Sequence, residues 1–478
     1  MEEKMAVINE TISGRLTLWK VACHFVLTKG CFLEITPDND GVEKLRDDCR
    51  ERGNNFDNLG ALHGKDKFEH DYAFIPAKVQ GPFCFYRGVI TLVIDIVITT
   101  INTKKSDGSY LHKYEDLNGF TAIDFSGEAV DSILNPKAII DRQHGLGNRI
   151  EWKANSEVAK SFSTSISGHK CQLIFTVVSD QFFSSLDRNT IATLKTIMRI
   201  EFEERQSTDK IIDCWRAACY FLSFCTGCFN VTDLQIGLWD TDDCIGTQPW
   251  HSTIDCFINS QKIESVHFEE DPYYRFLIAS LGDKTGNVFS ILNNDETKPS
   301  IGFLRKTNDD VMVDRDKIRD LCTAFEVEFE YQKGQIKDVN IELLVGRLKE
   351  TVKTFRSENP TSISERDYGY IFGTLNFISM PARKKIGYIY QKYSSMIDER
   401  IKHHAYGIDV SPEKTEEDIG WLVKSRNNIT HLTGISEDAI PNAIFARLKI
   451  AVYCSVLERA GYSLDEIKVV LNMYFKYE

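Results

Sequence analysis

Trp421-Leu-Val-Lys-Ser-Arg-Asn-Asn-Ile-Thr-His-Leu432 is the stretch on which the reading of this chain turns. Apolar residues at helical spacing run through it, and Thr433-Gly434 follows, so the pattern predicts a helix over about 415–431. The stretch carries one arginine, Arg426, a polar neighbour, Asn427, and one histidine, His431, five positions after the arginine. On a helix Asn427 and His431 share a face, and Arg426 stands about 100° round the axis from Asn427. Among the 11 histidines, only His431 has an arginine five to seven residues before it.

Helical periodicity surrounds this stretch. Ile318, Leu321, Cys322, Phe325 and Phe329 line one side of a helix over about 314–333, ended by Gly334. Further helices are read over about 341–356, from after Ser364 to about 380, over 382–401 behind Pro381, over 441–460 before Gly461, and over 463–474. Ser463 and Glu466 have the spacing of a capping box. This part, residues 306–478, reads as an all-helical bundle.

Residues 1–305 read differently. Short alternating or β-branched runs at 13–21, 32–36, 83–86, 89–101, 119–125, 171–178, 229–239 and 286–292 are separated by Gly, Asn and Asp punctuation. They point to a sandwich-like or curved antiparallel sheet, interrupted by one helix over about 208–227. The fold class is therefore α+β, with a strand-rich antiparallel region followed by a helical one.

The composition narrows the function classes. A chain of 478 residues has room for two or three domains. Its net charge of -13 argues against general electrostatic coating of nucleic acid, so any RNA contact must come from a local basic patch. The longest apolar run, 89–101, is too short to span a bilayer and contains Asp95. The start, Met-Glu-Glu-Lys-Met, lacks an apolar leader segment, and 13 scattered cysteines fit reduced thiols, so the expected setting is cytoplasmic.

Arg426 and His431 suit chemistry at a phosphodiester. Arginine is permanently charged and forks onto phosphate oxygens, while histidine moves protons near neutral pH. RNA supplies its own nucleophile in the 2′-hydroxyl, so positioning, charge stabilisation and proton transfer suffice without a metal or other cofactor. One such pair is a thin site, and two-fold symmetry would bring two pairs into one cleft. The plainer alternative is a solvated arginine with a histidine at a helix C-terminus, favoured there by the helix dipole.

Residues from about 308 to 478 resemble the HEPN superfamily, in its ApeA-like branch. The likeness rests on Arg426-Asn427-Asn-Ile-Thr-His431, on the hydrophobic lead-in Trp421-Leu-Val-Lys, and on Leu321-Cys-Thr-Ala-Phe-Glu326, which is similar to the family's apolar first helix with an embedded glutamate. The strand-rich half with its mid-chain helix is similar in organisation to the N-terminal part of ApeA-like proteins. The resemblance implies an endoribonuclease with a composite site across a homodimer. Arg426 would bind the phosphate, His431 would transfer protons, and Asn427 would orient the substrate or partner, with Glu326 in support. It also implies an abortive-infection, antiphage role, in which the first half senses or restrains and a phage-derived trigger releases it.

Other candidates stand beside this one. Arg383, Lys384, Lys385, Lys392, Arg400 and Lys402 form a basic set, followed by His403 and His404. Lys384 and Lys385, together with Lys424, are candidate RNA contacts, and a solvated helix face is the competing reading. Tyr388, Tyr390 and Tyr393 interleave with this set and could stack on bases, although their spacing puts at least one in the core. Cys225-Thr-Gly-Cys228 has the spacing of half a zinc site, but no second pair follows at a matching distance. Walker-type and GxSxG motifs are absent from the sequence. Two further alternatives are a helical half that only dimerises and binds RNA or protein, and a ligand-binding first half that carries the main function.

Overall fold

The structure is a computed structural model. It describes residues 11–475 apart from 29–31, 54–55, 57–58, 69, 78–87, 101–102, 105–109, 112–118, 137–139, 144–148, 153–158, 184–189, 228–230, 232–233, 240–253, 259–275, 295–299, 301–303, 305–314, 333–338, 361, 379–380, 405–408 and 431–441. Two compact units emerge: residues 1–222 with 230–272 and 277–279, and residues 280–478 with 223–229 and 273–276.

Strict alternation builds the first unit. In β1 (Ile12–Leu18) Leu16 and Leu18 turn inward, in β2 (Val21–Thr28) Val21, Cys23, Phe25 and Leu27, and in β3 (Phe32–Pro37) Leu33 and Ile35. With β4 (Leu62–Asp66), β5 (Asp71–Pro76) and β6 (Ile90–Thr100) they pair antiparallel in the order β1-β2-β3-β6-β5-β4, and β4 returns to β1. The ring closes, so these strands form a barrel, which leaves no free edge. A helix, α1 (Val42–Glu51), puts Leu45 and Cys49 into the same core.

Closure demands close backbone approach. A Cβ on Gly14 would lie 1.9 Å from the Lys65 carbonyl oxygen, so only glycine fits where β1 meets β4.

Strand β6 continues beyond the barrel. Its residues 96–99 pair with β12 (Ile254–Ile258), and the sheet runs on through β11 (Gln235–Trp239), β7 (Phe120–Ser126), β10 (Thr190–Gln206), β9 (His169–Phe183) and β8 (Lys160–Ile166), all antiparallel. Among the described residues the main sheet is thus twelve-stranded and antiparallel with a closed end, beside two two-stranded hairpins, and not a pair of stacked sheets. Two helices follow in sequence, α2 (Glu128–Ile133) and α3 (Ile211–Thr226); Phe221 of α3 packs on Phe175 of β9.

Two strand expectations change. The run 13–21 is not one strand: the chain reverses at Trp19 and Lys20, both at positive φ (47° and 65°). Positive φ at two non-glycine residues is costly. Trp19 is held there by stacking on Phe56 and by the Arg52 guanidinium 4.4 Å over its ring. Residues 286–292 form a helix, α4 (Thr285–Leu292), because a short apolar run does not distinguish strand from helix. The expected strand at 83–86 lies outside the described residues.

From residue 315 onward the helices of the second unit follow the periodicity closely. They are α5 (Arg315–Gln332), α6 (Val339–Glu358), α7 (Glu365–Ile378), α8 (Ala382–His404), α9 (Pro412–Thr430), α10 (Asn442–Arg459) and α11 (Leu464–Phe475). Helices α5, α8, α9 and α10 pack on one another around Leu321, Phe325, Ile389, Tyr393, Leu422 and Leu448. Ser463 and Glu466 do form the capping box: Oε2 of Glu466 accepts from the Ser463 amide at 2.7 Å, and Oγ of Ser463 accepts from the Glu466 amide at 3.3 Å. Among the described residues no helix is long and apolar enough to cross a membrane.

Candidate functional site

Helix α9 begins where Oγ of Ser411 accepts from the Lys414 amide. It buries Ile419, Leu422 and Ser425 against the bundle. Arg426 follows at the edge of that buried stripe, with 29% of its side chain exposed. Its Nη2 lies 3.3 Å from Oε1 of Glu326 on α5, and its Nη1 lies 3.5 Å from Oδ1 of Asn427. The arginine is thus oriented by two oxygens yet stays within reach of solvent. Asn427 is exposed, and so is Lys424, which shares a helix face with it at i,i+3. His431 directly follows Thr430, the last residue of α9, and lies outside the described residues.

Two neighbours of the arginine were not read from sequence. Cys322, one turn before Glu326, is buried, and burial pushes its thiol up to about 12, with Arg426 pulling down and Glu326 pushing up. Glu330, one turn after Glu326, takes Lys385 at 3.8 Å, and the same ammonium lies 5.3 Å over the Phe329 ring. Glu326 and Glu330 share a face about 6 Å apart along α5, so Lys385 stands one turn from the arginine's partner. The i,i+4 glutamates beside the apolar stripe of α5 were the available signal.

The basic set is largely committed to pairs. Arg383 bonds Oε1 of Glu416 at 3.0 Å, and Lys392 bonds Oε1 of Glu458 at 2.6 Å. Lys384 is exposed. The side chains of Arg400, Lys402, His403 and His404 lie outside the described set. Tyr390 and Tyr393 are buried and bonded to Asp398 and Glu458, so they belong to the core and are not stacking platforms. Only Tyr388 of the three is partly exposed, with its ring edge-on to Phe329.

A second polar group lies inside the bundle. Glu328 is fully buried and accepts from Ser300, Ser455 and the Arg459 guanidinium at 2.6, 2.7 and 2.9 Å. Its position on the apolar stripe of α5, seven residues after Leu321, was the sequence signal. On α3, Cys214, Cys219 and Cys225 are all buried, and burial holds the Cys214 and Cys225 thiols well above the usual range. Cys228 lies outside the described residues, and among those described no group of three His, Cys, Asp or Glu side chains is arranged to hold a metal ion.

Arg426 can therefore present a fixed guanidinium to an anion at the end of α9, with Lys385, paired to Glu330, one turn of α5 from its partner Glu326. Compared with protein-family models, curated proteins and solved structures, the chain matches none of them.

Proposed function

We propose that the chain is a metal-independent endoribonuclease effector of the HEPN type, acting as a homodimer through its helical half. The observation that carries this reading is the partly exposed Arg426, oriented by Glu326 at 3.3 Å, five residues before His431. In that role the guanidinium grips the scissile phosphate and stabilises the charge that grows on it. His431 takes the 2′-hydroxyl proton or delivers one to the 5′-oxygen, and a second copy supplies the complementary partner. The attack leaves a 2′,3′-cyclic phosphate on one fragment and a 5′-hydroxyl on the other. The biological setting proposed is antiphage abortive infection in the cytoplasm, with the strand-rich half sensing or restraining.

The decisive measurement is cleavage of total RNA in EDTA by the wild type, Arg426→Ala and His431→Ala. Loss in both variants with wild-type activity intact supports the reading. Activity surviving both changes removes the site. One observation favours a second reading: Arg426 already has a carboxylate partner, as a purely structural arginine would. In that case the helical half is a non-catalytic binding module, and RNA is bound but not cut.

A further inference from the structure

Beyond the arginine site, α5 carries a second feature on a different flank. Gln332 follows Glu326 by six residues, about 240° round the helix, so the two sites do not share a face. A cavity of about 390 Å³ opens there, lined among others by Tyr331, Gln332, Lys392, Glu458 and Arg459. That volume suits a nucleoside-sized ligand.

The lining has a definite hydrogen-bonding polarity. Nε2 of Gln332 donates to Tyr393 and to Ser455, each at 3.1 Å, while its Oε1 is buried with no hydrogen-bond partner. That oxygen is shut off from solvent, so the acceptors the cavity presents are those of Glu458, which is 30% exposed. Glu458 accepts from Lys392 through Oε1 and from Tyr393 through Oε2, and each carboxylate oxygen can accept more than one bond. Lys392 has three donor hydrogens, of which Glu458 takes one. Beside them the Arg459 guanidinium lies 3.5 Å over the ring of Tyr331, a flat platform that is 41% exposed at the tyrosine. Two acceptors next to one cationic donor, with a stacking surface alongside, form the complement of one kind of base edge.

We propose that this cavity binds a guanine base, as a nucleoside or nucleotide. Guanine presents in a row one carbonyl acceptor, O6, and two donors, N1–H and N2–H. Lys392 faces O6, and the two carboxylate oxygens of Glu458 take the two donors. The Tyr331–Arg459 stack carries the ring. Adenine offers a single exocyclic donor on that edge and leaves one acceptor unmet. The site does not rest on the ribonuclease reading, because binding is measured without cleavage.

The experiment uses the full chain, with guanosine, adenosine and cytidine as probes in titration calorimetry. Guanosine is expected to bind at least tenfold more tightly than either competitor. Glu458→Gln is expected to lower guanosine affinity at least tenfold. That change touches the internal network, so Asn294→Trp, at an exposed position on the cavity rim, is the second variant. It is expected to block guanosine while leaving the melting temperature of the free protein unchanged. No heat from guanosine at millimolar concentration overturns the proposal, as does equal binding of adenosine or undiminished binding by Asn294→Trp.

Discussion

Arg426 and Glu326 stand one hundred residues apart in the chain and meet as an ion pair, Nη2 to Oε1, at 3.3 Å. Both side chains are about a third exposed, so the pair contributes little to stability, about 0–1 kcal/mol. Its effect is to fix the direction of the guanidinium. Arg426→Ala is expected to lower single-turnover RNA cleavage about 100-fold or more, the scale seen when a charge-stabilising donor is removed. Glu326→Ala should lower it about tenfold by freeing the arginine, and Glu326→Gln less, because an acceptor remains. Cleavage rates and denaturation midpoints measured on the same preparations separate the two effects. Unchanged cleavage in Glu326→Ala would remove the glutamate from any supporting role.

Glu328, two residues further along α5, is expected to behave in the opposite way. It is fully buried, and Arg459, its partner at 2.9 Å, is 9% exposed. Removing one member of a buried pair strands the other, at a cost of about 3–5 kcal/mol. Glu328→Ala should therefore shift the urea midpoint of the helical far-UV signal strongly, with Glu328→Gln intermediate because the amide still accepts a hydrogen bond. A Glu328→Ala midpoint equal to wild type would show that the buried carboxylate is dispensable.

These two glutamates also show what the sequence could reveal. The helical half was legible because its bundle helices bury stripes with a regular period, and that period fixed seven of its helices within a few residues. Glu326 was picked out by a family likeness, whereas Glu328 went unread because a charge on an apolar stripe looks like an interruption until its partners appear. Ser300, Ser455 and Arg459 come from distant positions that no local pattern links. Barrel closure was hidden for the same reason, since β1 and β4 are joined through a pairing that spans some fifty residues. The turn at Trp19 and Lys20 lacks glycine and asparagine, so it carried no turn signal.

Barrel closure at that pairing is testable through Gly14. A methyl group there meets the Lys65 carbonyl oxygen and carbon at 1.9 and 2.7 Å, both backbone atoms that cannot swing aside. Gly14→Ala should force β1 away from β4 and lower stability by on the order of 3 kcal/mol. Gly53→Ala is the contrasting case: nothing lies within 4 Å of its added Cβ, and only its positive φ resists the change. Its expected loss is about 1 kcal/mol. Thermal melting of both variants decides the matter, and a Gly14→Ala melt no lower than that of Gly53→Ala would argue against the close crossing.

Glu466 at the start of α11 bonds the Lys284 ammonium through both oxygens, at 2.7 and 2.6 Å, and also accepts from the Ser463 amide. The lysine, with the amide second, holds its carboxyl down from the ordinary 4.5 to about 2. A carboxyl depressed in the folded state adds stability that is fully present above the unfolded value and is lost as pH falls through the folded one. The window therefore runs from about 4.5 down to about 2. Glu466→Gln keeps the capping bond to Ser463 but removes the charge that Lys284 reads. Wild type should denature at higher urea than the variant at pH 7, and the gap should narrow steadily below pH 4.5. A gap that stays constant between pH 7 and pH 3 would mean that the Lys284 pair does not titrate with stability, and that Glu466 acts through its cap alone.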